Sequence, residues 1–143
     1  MHRLAAIPGG WTPDLAGVVF VEQTIAPIVI LTAKDTEIQT LAGAIDQLPS
    51  SFPAVRAANL LNLQQELAID TYAETVLGQA RLVILRLLGG RGYWSYGLEV
   101  VRDLAADRSI HLAVLPGDDR PDLDLMSHST LPLALVDRFW RYF

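Results

Sequence analysis

Apolar positions fall along the chain in short continuous runs separated by stretches of helical spacing. Residues 28–32 (Ile-Val-Ile-Leu-Thr), 55–60, 82–88 and 110–115 are such runs. They are too apolar to leave one face in water, which suits strands of a parallel sheet covered on both sides. Within residues 35–48, Ile38, Leu41, Ala42, Ile45 and Leu48 recur at helical spacing, with Glu37, Thr40 and Asp46 turned away. Thr32 is the expected N-cap of that helix and Pro49 its stop. A second helix is expected from a cap at Asp70, carrying Tyr72, Ala73, Val76, Leu77 and Ala80 on one side. A third follows the glycines of residues 89–92 and carries Trp94, Leu98, Val101, Leu104 and Ala105. This alternation predicts an α/β fold: a mainly parallel open sheet flanked by helices, flavodoxin-like or Rossmann-like.

The two ends depart from the alternation. Residues 3–7 and 18–21 flank Pro-Gly-Gly-Trp-Thr-Pro, whose residues favour turns. This predicts a short strand-rich N-terminal extension, residues 1–24, forming a hairpin or an edge pairing ahead of an alternating core at 25–143, all within one domain. Residues 131–143 read as a helix with Thr130 as cap and Pro132 in the first turn, where proline is tolerated. Leu131, Leu135, Val136, Phe139, Trp140, Tyr142 and Phe143 give that helix an apolar face wider than the usual stripe of a little over ~100°. Either the helix is buried within the domain, or Phe139, Trp140 and Phe143 form an interface with further chain or a partner.

Composition narrows the classes. The chain has 143 residues, enough for one domain with its own core. It has no cysteine, which excludes disulfides and thiolate metal sites within it. A formal charge of -5 without any Lys/Arg cluster argues against nucleic acid as a partner. No apolar run approaches the ~18 to 20 residues of a bilayer-spanning helix, so no membrane span is expected. The opening apolar stretch, residues 4–7, is too short for a secretory signal, and a cytoplasmic location is expected. Only 19% of residues are charged against 51% apolar, so part of the surface is expected to pack against something else.

If the strands are parallel, the loops after their carboxyl ends emerge at one sheet edge, where open α/β sheets bind ligands. Those loops hold the candidate ligand contacts: Arg86, Gly89, Gly90, Arg91, Tyr93, Trp94, Asp118 and Asp119. Arg86 lies inside an apolar strand and needs a carboxylate or an anion nearby, with Asp118, Asp119 and Asp35 as the candidates. It serves either a structural ion pair or the grip on a substrate carboxylate. The turn at Gly89 and Gly90 resembles an anion-binding turn before a helix, but its spacing is neither that of a P-loop nor of a dinucleotide fingerprint. Asp118, Asp119, Asp122 and Asp124 could attract a divalent cation, yet lack the EF-hand pattern; a solvated turn is the commoner outcome. His128 has no second histidine at ligand spacing, and no Gly-x-Ser-x-Gly elbow is present. No complete catalytic set is visible, and no cofactor or metal site is expected in this segment.

The stretches Ile-Val-Ile-Leu-Thr-Ala-Lys-Asp-Thr-Glu-Ile (28–38), Asn-Leu-Leu-Asn-Leu (59–63), Leu-Arg-Leu-Leu-Gly-Gly-Arg-Gly-Tyr-Trp-Ser-Tyr-Gly (85–97) and Leu-Pro-Gly-Asp-Asp-Arg-Pro-Asp (115–122) resemble the start of the large subunits of aerobic cobaltochelatase, CobN, which are homologous to the H subunits of magnesium chelatase. The resemblance covers essentially the whole chain, including the opening decapeptide, which is closer to the cobalt enzyme. It implies insertion of Co²⁺ or Mg²⁺, as a metal substrate, into a tetrapyrrole, with ATP hydrolysed by separate AAA+ partner subunits. It also implies that these residues are an N-terminal domain of a much longer subunit, inactive alone and packed against the remainder. The alternatives from the residues themselves are a stand-alone module binding an anion or tetrapyrrole, and a docking domain.

Overall fold

A computed structural model describes residues 4–5 and 20–143, without the side chains of Leu4, Ala5 and Arg91. Five parallel strands, β1 (Leu4–Ala5), β2 (Ile28–Thr32), β3 (Val55–Asn59), β4 (Leu82–Leu87) and β5 (His111–Pro116), lie in the order β1-β3-β2-β4-β5. Among the described residues the α-helices are α1 (Asp35–Ile45), α2 (Glu66–Thr75), α3 (Ser95–Arg108), α4 (Leu123–Met126) and α5 (Leu133–Tyr142). The α/β fold with an all-parallel sheet is the one that the sequence pattern predicts.

Strand residues alternate between two cores. Val29, Leu31, Val83, Leu85, Leu112 and Val114 face the layer of α2 and α3, where they meet Ile69, Tyr72, Leu98 and Val101. Ile30, Ile84, Ala113 and Leu115 face Leu41 and Ile45 of α1 and Val136, Phe139 and Trp140 of α5. Both faces are therefore dry, which is why the strands read as unbroken apolar runs. From β2 the chain steps outward to β3 through α1, then crosses back to β4 through α2 on the other face. The direction reverses between β2 and β4, and that is the topological switch point of a doubly wound sheet.

One local expectation is resolved and several are corrected. Of the two alternatives for the opening strand, the edge pairing is seen, with Leu4 beside Ala57 and Ala5 beside Ala58. Residues 18–19 of the second expected run lie outside the described residues, and Phe20 and Val21 belong to no strand. Helix α2 begins four residues before Asp70, because Ala68 and Ile69 already belong to its buried face. Helix α1 ends at Ile45, short of Leu48. Thr130 does not cap α5. Its hydroxyl accepts from the Leu112 N–H at 2.7 Å, and the Ser129 hydroxyl accepts from the Val114 N–H at 2.8 Å. Edge strands carry unpaired backbone groups that must be covered, and β5 claims both hydroxyls for that purpose.

Tyr72, fully buried under β2 and β3, donates its hydroxyl to Gln23 Oε1 at 2.6 Å, while Gln23 Nε2 donates to the Ala57 carbonyl at 2.9 Å. Burial pushes the phenol well above its ordinary value of 10.0, against a smaller opposing effect of Arg56. A raised folded-state pKa gives stability that is whole below the unfolded pKa and is lost as pH rises towards the folded one. The protein should lose stability progressively above about pH 10. Tyr72→Phe should flatten that alkaline limb in urea unfolding, at a cost near neutral pH of about 1 kcal/mol for the hydrogen bond. An unchanged alkaline limb would show that Tyr72 does not set it.

Candidate functional site at the carboxyl edge of the sheet

The Leu31–Leu85 pair places Arg86 one residue further along β4, at the switch-point end of the sheet and on the α1 and α5 face. Its side chain is 5% exposed. An unpaired guanidinium at such a position would be prohibitively costly. The partner is Glu37, in the first turn of α1, whose Oε1 pairs with Arg86 Nη1. Neither Asp118 nor Asp119 nor Asp35 takes that role. Asp35 instead accepts from Asn59 Nδ2 at 2.7 Å, and Asp118 Oδ1 accepts from the Arg120 N–H at 3.1 Å in an exposed turn.

Further groups close the cluster. Lys34 Nζ lies 3.7 Å from the same Glu37 oxygen and donates to the Gly117 carbonyl. The Thr32 hydroxyl donates to Glu37 Oε2 at 3.4 Å, and Arg86 Nη2 donates to the Pro116 carbonyl at 3.4 Å. Glu37 Oε1 meets its two cations as an ion pair and makes no well-directed hydrogen bond, and Arg86 Nε is buried without an acceptor. The ring of Phe143 lies over the guanidinium, 4.9 Å from its centroid to Cζ, within cation–π range. The cluster thus joins the ends of β2, β4 and β5, the start of α1 and Phe143, the residue that follows α5.

The remaining candidates separate into two hollows. Gly89 and Gly90, with φ of 91° and 77°, adopt backbone that side chains resist, and they turn the chain beside Asp118, Arg120 and Asp122 around a cleft of about 590 Å³. Asp122 Oδ1 caps α4 by accepting from the Leu125 N–H at 3.0 Å. The acidic run therefore forms a turn and a helix cap. Among the described residues no three His, Asp or Glu side chains converge on a point where they could hold a metal ion. Asp119 is exposed, and the Arg91 side chain lies outside the described residues.

Tyr93, 44% exposed, borders a smaller hollow of about 230 Å³ with Leu60, Gln64 and Tyr96. Trp94 also lines it, but is 6% exposed, donates Nε1 to the Leu63 carbonyl at 2.7 Å and rests against Gly97, where any Cβ would enter its ring. Phe139 and Trp140 pack against the sheet, and Trp140 Nε1 donates to the Asp118 carbonyl at 3.2 Å. Phe143 is 41% and Tyr142 87% exposed.

Sequence reasoning missed Glu37 as the partner of Arg86, with Lys34 beside it. Glu37 lies on the expected polar side of α1, and only the β2–β4 pairing brings it to Arg86. No composition or spacing rule carries that pairing.

No protein-family model matches the chain. Over 142 residues, 99% of the chain, it is 44% identical to the aerobic cobaltochelatase subunit CobN of Pseudomonas aeruginosa. The chain belongs to the CobN family. It is also 36% identical over all 143 residues to the CobN subunit of a Sinorhizobium species, and it spans 11% of the length of each of these CobN relatives. Among solved structures, the catalytic subunit of cobaltochelatase from Mycobacterium tuberculosis superposes with a TM-score of 0.60 at 22% identity, covering 81% of this chain and 8% of that one. That likeness establishes a shared fold. In this CobN segment no helix among the described residues is long and apolar enough to cross a membrane.

The cluster predicts an asymmetric double-mutant cycle. Glu37→Leu, which strands the guanidinium, should destabilise by about 3 kcal/mol in urea unfolding, and Arg86→Met by less, because Lys34 and Thr32 still face Glu37. The double variant Glu37→Leu/Arg86→Met should recover most of that loss. Additive losses would mean that the two residues act independently.

Proposed function

We propose that this chain is a non-catalytic N-terminal domain of the large, tetrapyrrole-binding subunit of an ATP-dependent cobaltochelatase. That enzyme would insert Co²⁺, as substrate, into a corrinoid precursor during cobalamin biosynthesis, in the cytoplasm. The single observation that carries the reading is 44% identity to a CobN subunit running through 99% of the chain while spanning 11% of that subunit. ATP would be hydrolysed in separate AAA+ subunits, in keeping with a sequence that has no Gly-Lys-Ser/Thr loop. The domain would contribute a rigid α/β body whose carboxyl-edge cleft, at Gly89, Gly90, Asp118 and Asp122, faces polar groups of a macrocycle or of the remaining chain.

The chemistry in view supports a positioning role. Arg86, the one buried cation in the sheet among the described residues, is matched internally by Glu37, and the polar atoms around the cleft belong to turns and a cap. These groups can orient a bound molecule by hydrogen bonds, and none is arranged with a second to accept and return a proton.

The 143-residue chain alone, given Co²⁺, a corrinoid precursor and ATP, should insert no metal when followed by absorbance of the metallated product. Measured insertion would overturn the reading. If the domain touches the macrocycle, corrinoid should quench tryptophan emission at micromolar concentration, and Tyr93→Ala should weaken the quenching several-fold. Quenching untouched by that change would remove the tetrapyrrole contact while leaving the domain assignment in place.

A further inference from the structure

The outer surface of the α2–α3 layer is built differently from the rest of the molecule. Glu66, Asp70 and Glu74 stand at i, i+4 and i+8 on α2; Glu99, Asp103 and Asp107 repeat that spacing on α3. Each spacing places the three acids on one side of its helix. Between the two rows runs a groove of about 620 Å³ with Ala73, Val100 and Leu104 as its floor. All six acids are exposed, and among the described residues none forms an ion pair. Arg108, at one end, directs Nη1 to the Gly78 carbonyl at 3.3 Å.

Like charges at i, i+4 destabilise a helix by a few tenths of a kcal/mol per pair, and here they occur four times without relief. Asp70 is held in place by the Tyr96 hydroxyl, which donates to its two oxygens at 2.7 and 2.9 Å. That hydrogen bond, reinforced by the charges of Asp70, Glu66 and Glu99, pushes the phenol up to about 12, so Tyr96 remains a neutral donor throughout the physiological range. The surface has an apolar floor, an acidic row on each helix and a pre-set carboxylate.

We propose that the α2–α3 groove is a docking site for a cationic amphipathic helix of a separate protein, with a small-residue or Leu ridge on the Ala73–Val100–Leu104 floor and Lys or Arg on both flanks. The mixed character of the surface selects a separate, reversible partner. Permanent interfaces resemble a domain core, whereas exchanging ones are more polar and use charge to steer encounter. A groove with a short apolar floor, lined by the carboxylates of Asp70, Glu74, Asp103 and Asp107, belongs to the second kind. It lies on the opposite face of the sheet from the Arg86 cluster and α5, so occupancy there is compatible with the ion pair staying closed.

The test uses a designed 18-residue helical peptide with a Leu/Ala ridge flanked by lysines, titrated into the ¹⁵N-labelled chain at low and at physiological salt. Backbone resonances at Ala73, Val100 and Leu104 should shift with a micromolar Kd that weakens at least tenfold between the two salt conditions. The variant Glu74→Lys/Asp103→Lys should weaken binding tenfold or more. Asp46→Lys/Asp119→Lys, with the same change in net charge elsewhere, should leave it within twofold. The groove reversals replace exposed residues and relieve repulsion along their helices, so thermal unfolding should confirm that the variant is folded. Equal weakening by both variants, or shifts spread over the whole surface, would reduce the effect to net charge and overturn the proposal. So would a complete CobN-family subunit in which these groove amides are protected from hydrogen exchange and the peptide no longer binds, because the subunit's own chain would then be the occupant.

Discussion

Placing a guanidinium inside an apolar parallel strand is the constraint on which the carboxyl edge of this domain is built. The Arg86 guanidinium cannot reach solvent from a side chain that is 5% exposed. Its neutralisation requires α1 to start directly after β2, so that Glu37 in the first turn overlies β4. It requires the Pro116 and Gly117 carbonyls at the end of β5 to turn inward, where Arg86 and Lys34 donate to them. The Phe143 ring then shields the guanidinium from water and brings the end of α5 to the same point. One buried charge thereby sets the relative positions of three strands and two helices, although the energy holding the domain together is the burial of Val, Leu and Ile on both sheet faces.

The legible part of this structure is the part written in periodicity. The apolar runs at β2, β4 and β5 reveal a sheet dry on both faces because the side-chain pattern of such a strand depends only on its own two surroundings. Element ends were less readable, since a polar residue with several available roles takes the one set by tertiary context. Thr130 suits a helix cap, but its hydroxyl accepts from the N–H of Leu112 on edge strand β5. Asp70 suits a cap as well, yet sits within α2 because burial of Ala68 and Ile69 extends the helix before it. The need for a carboxylate at Arg86 was legible from the charge alone. Its identity was not, because Glu37 and Arg86 meet only through the strand order that places β2 next to β4.

The same order explains where open space lies. In a doubly wound sheet the helices diverge above the strands at which the winding reverses, leaving a crevice at their carboxyl ends. Here that crevice, between β2 and β4, is filled from within by Lys34, Glu37, Arg86 and Phe143. The cleft of about 590 Å³ is displaced one strand along, between the Gly89–Gly90 turn after β4 and the Asp118–Asp122 turn after β5. Its two walls are anchored to the filled crevice. The Gly117 N–H donates to the Leu87 carbonyl at 2.8 Å, and Trp140 on α5 holds the Asp118 carbonyl. A change in how Phe143 and α5 sit over Arg86 would therefore act on the β5 wall of the cleft through Trp140 and Asp118. Among the described residues, no hydrogen bond ties the glycine turn on the β4 side to α5. In this geometry the buried ion pair and the open cleft are separate features joined by β5, and the packing of α5 is the physical link by which contacts at Phe139, Trp140 and Phe143 reach the cleft.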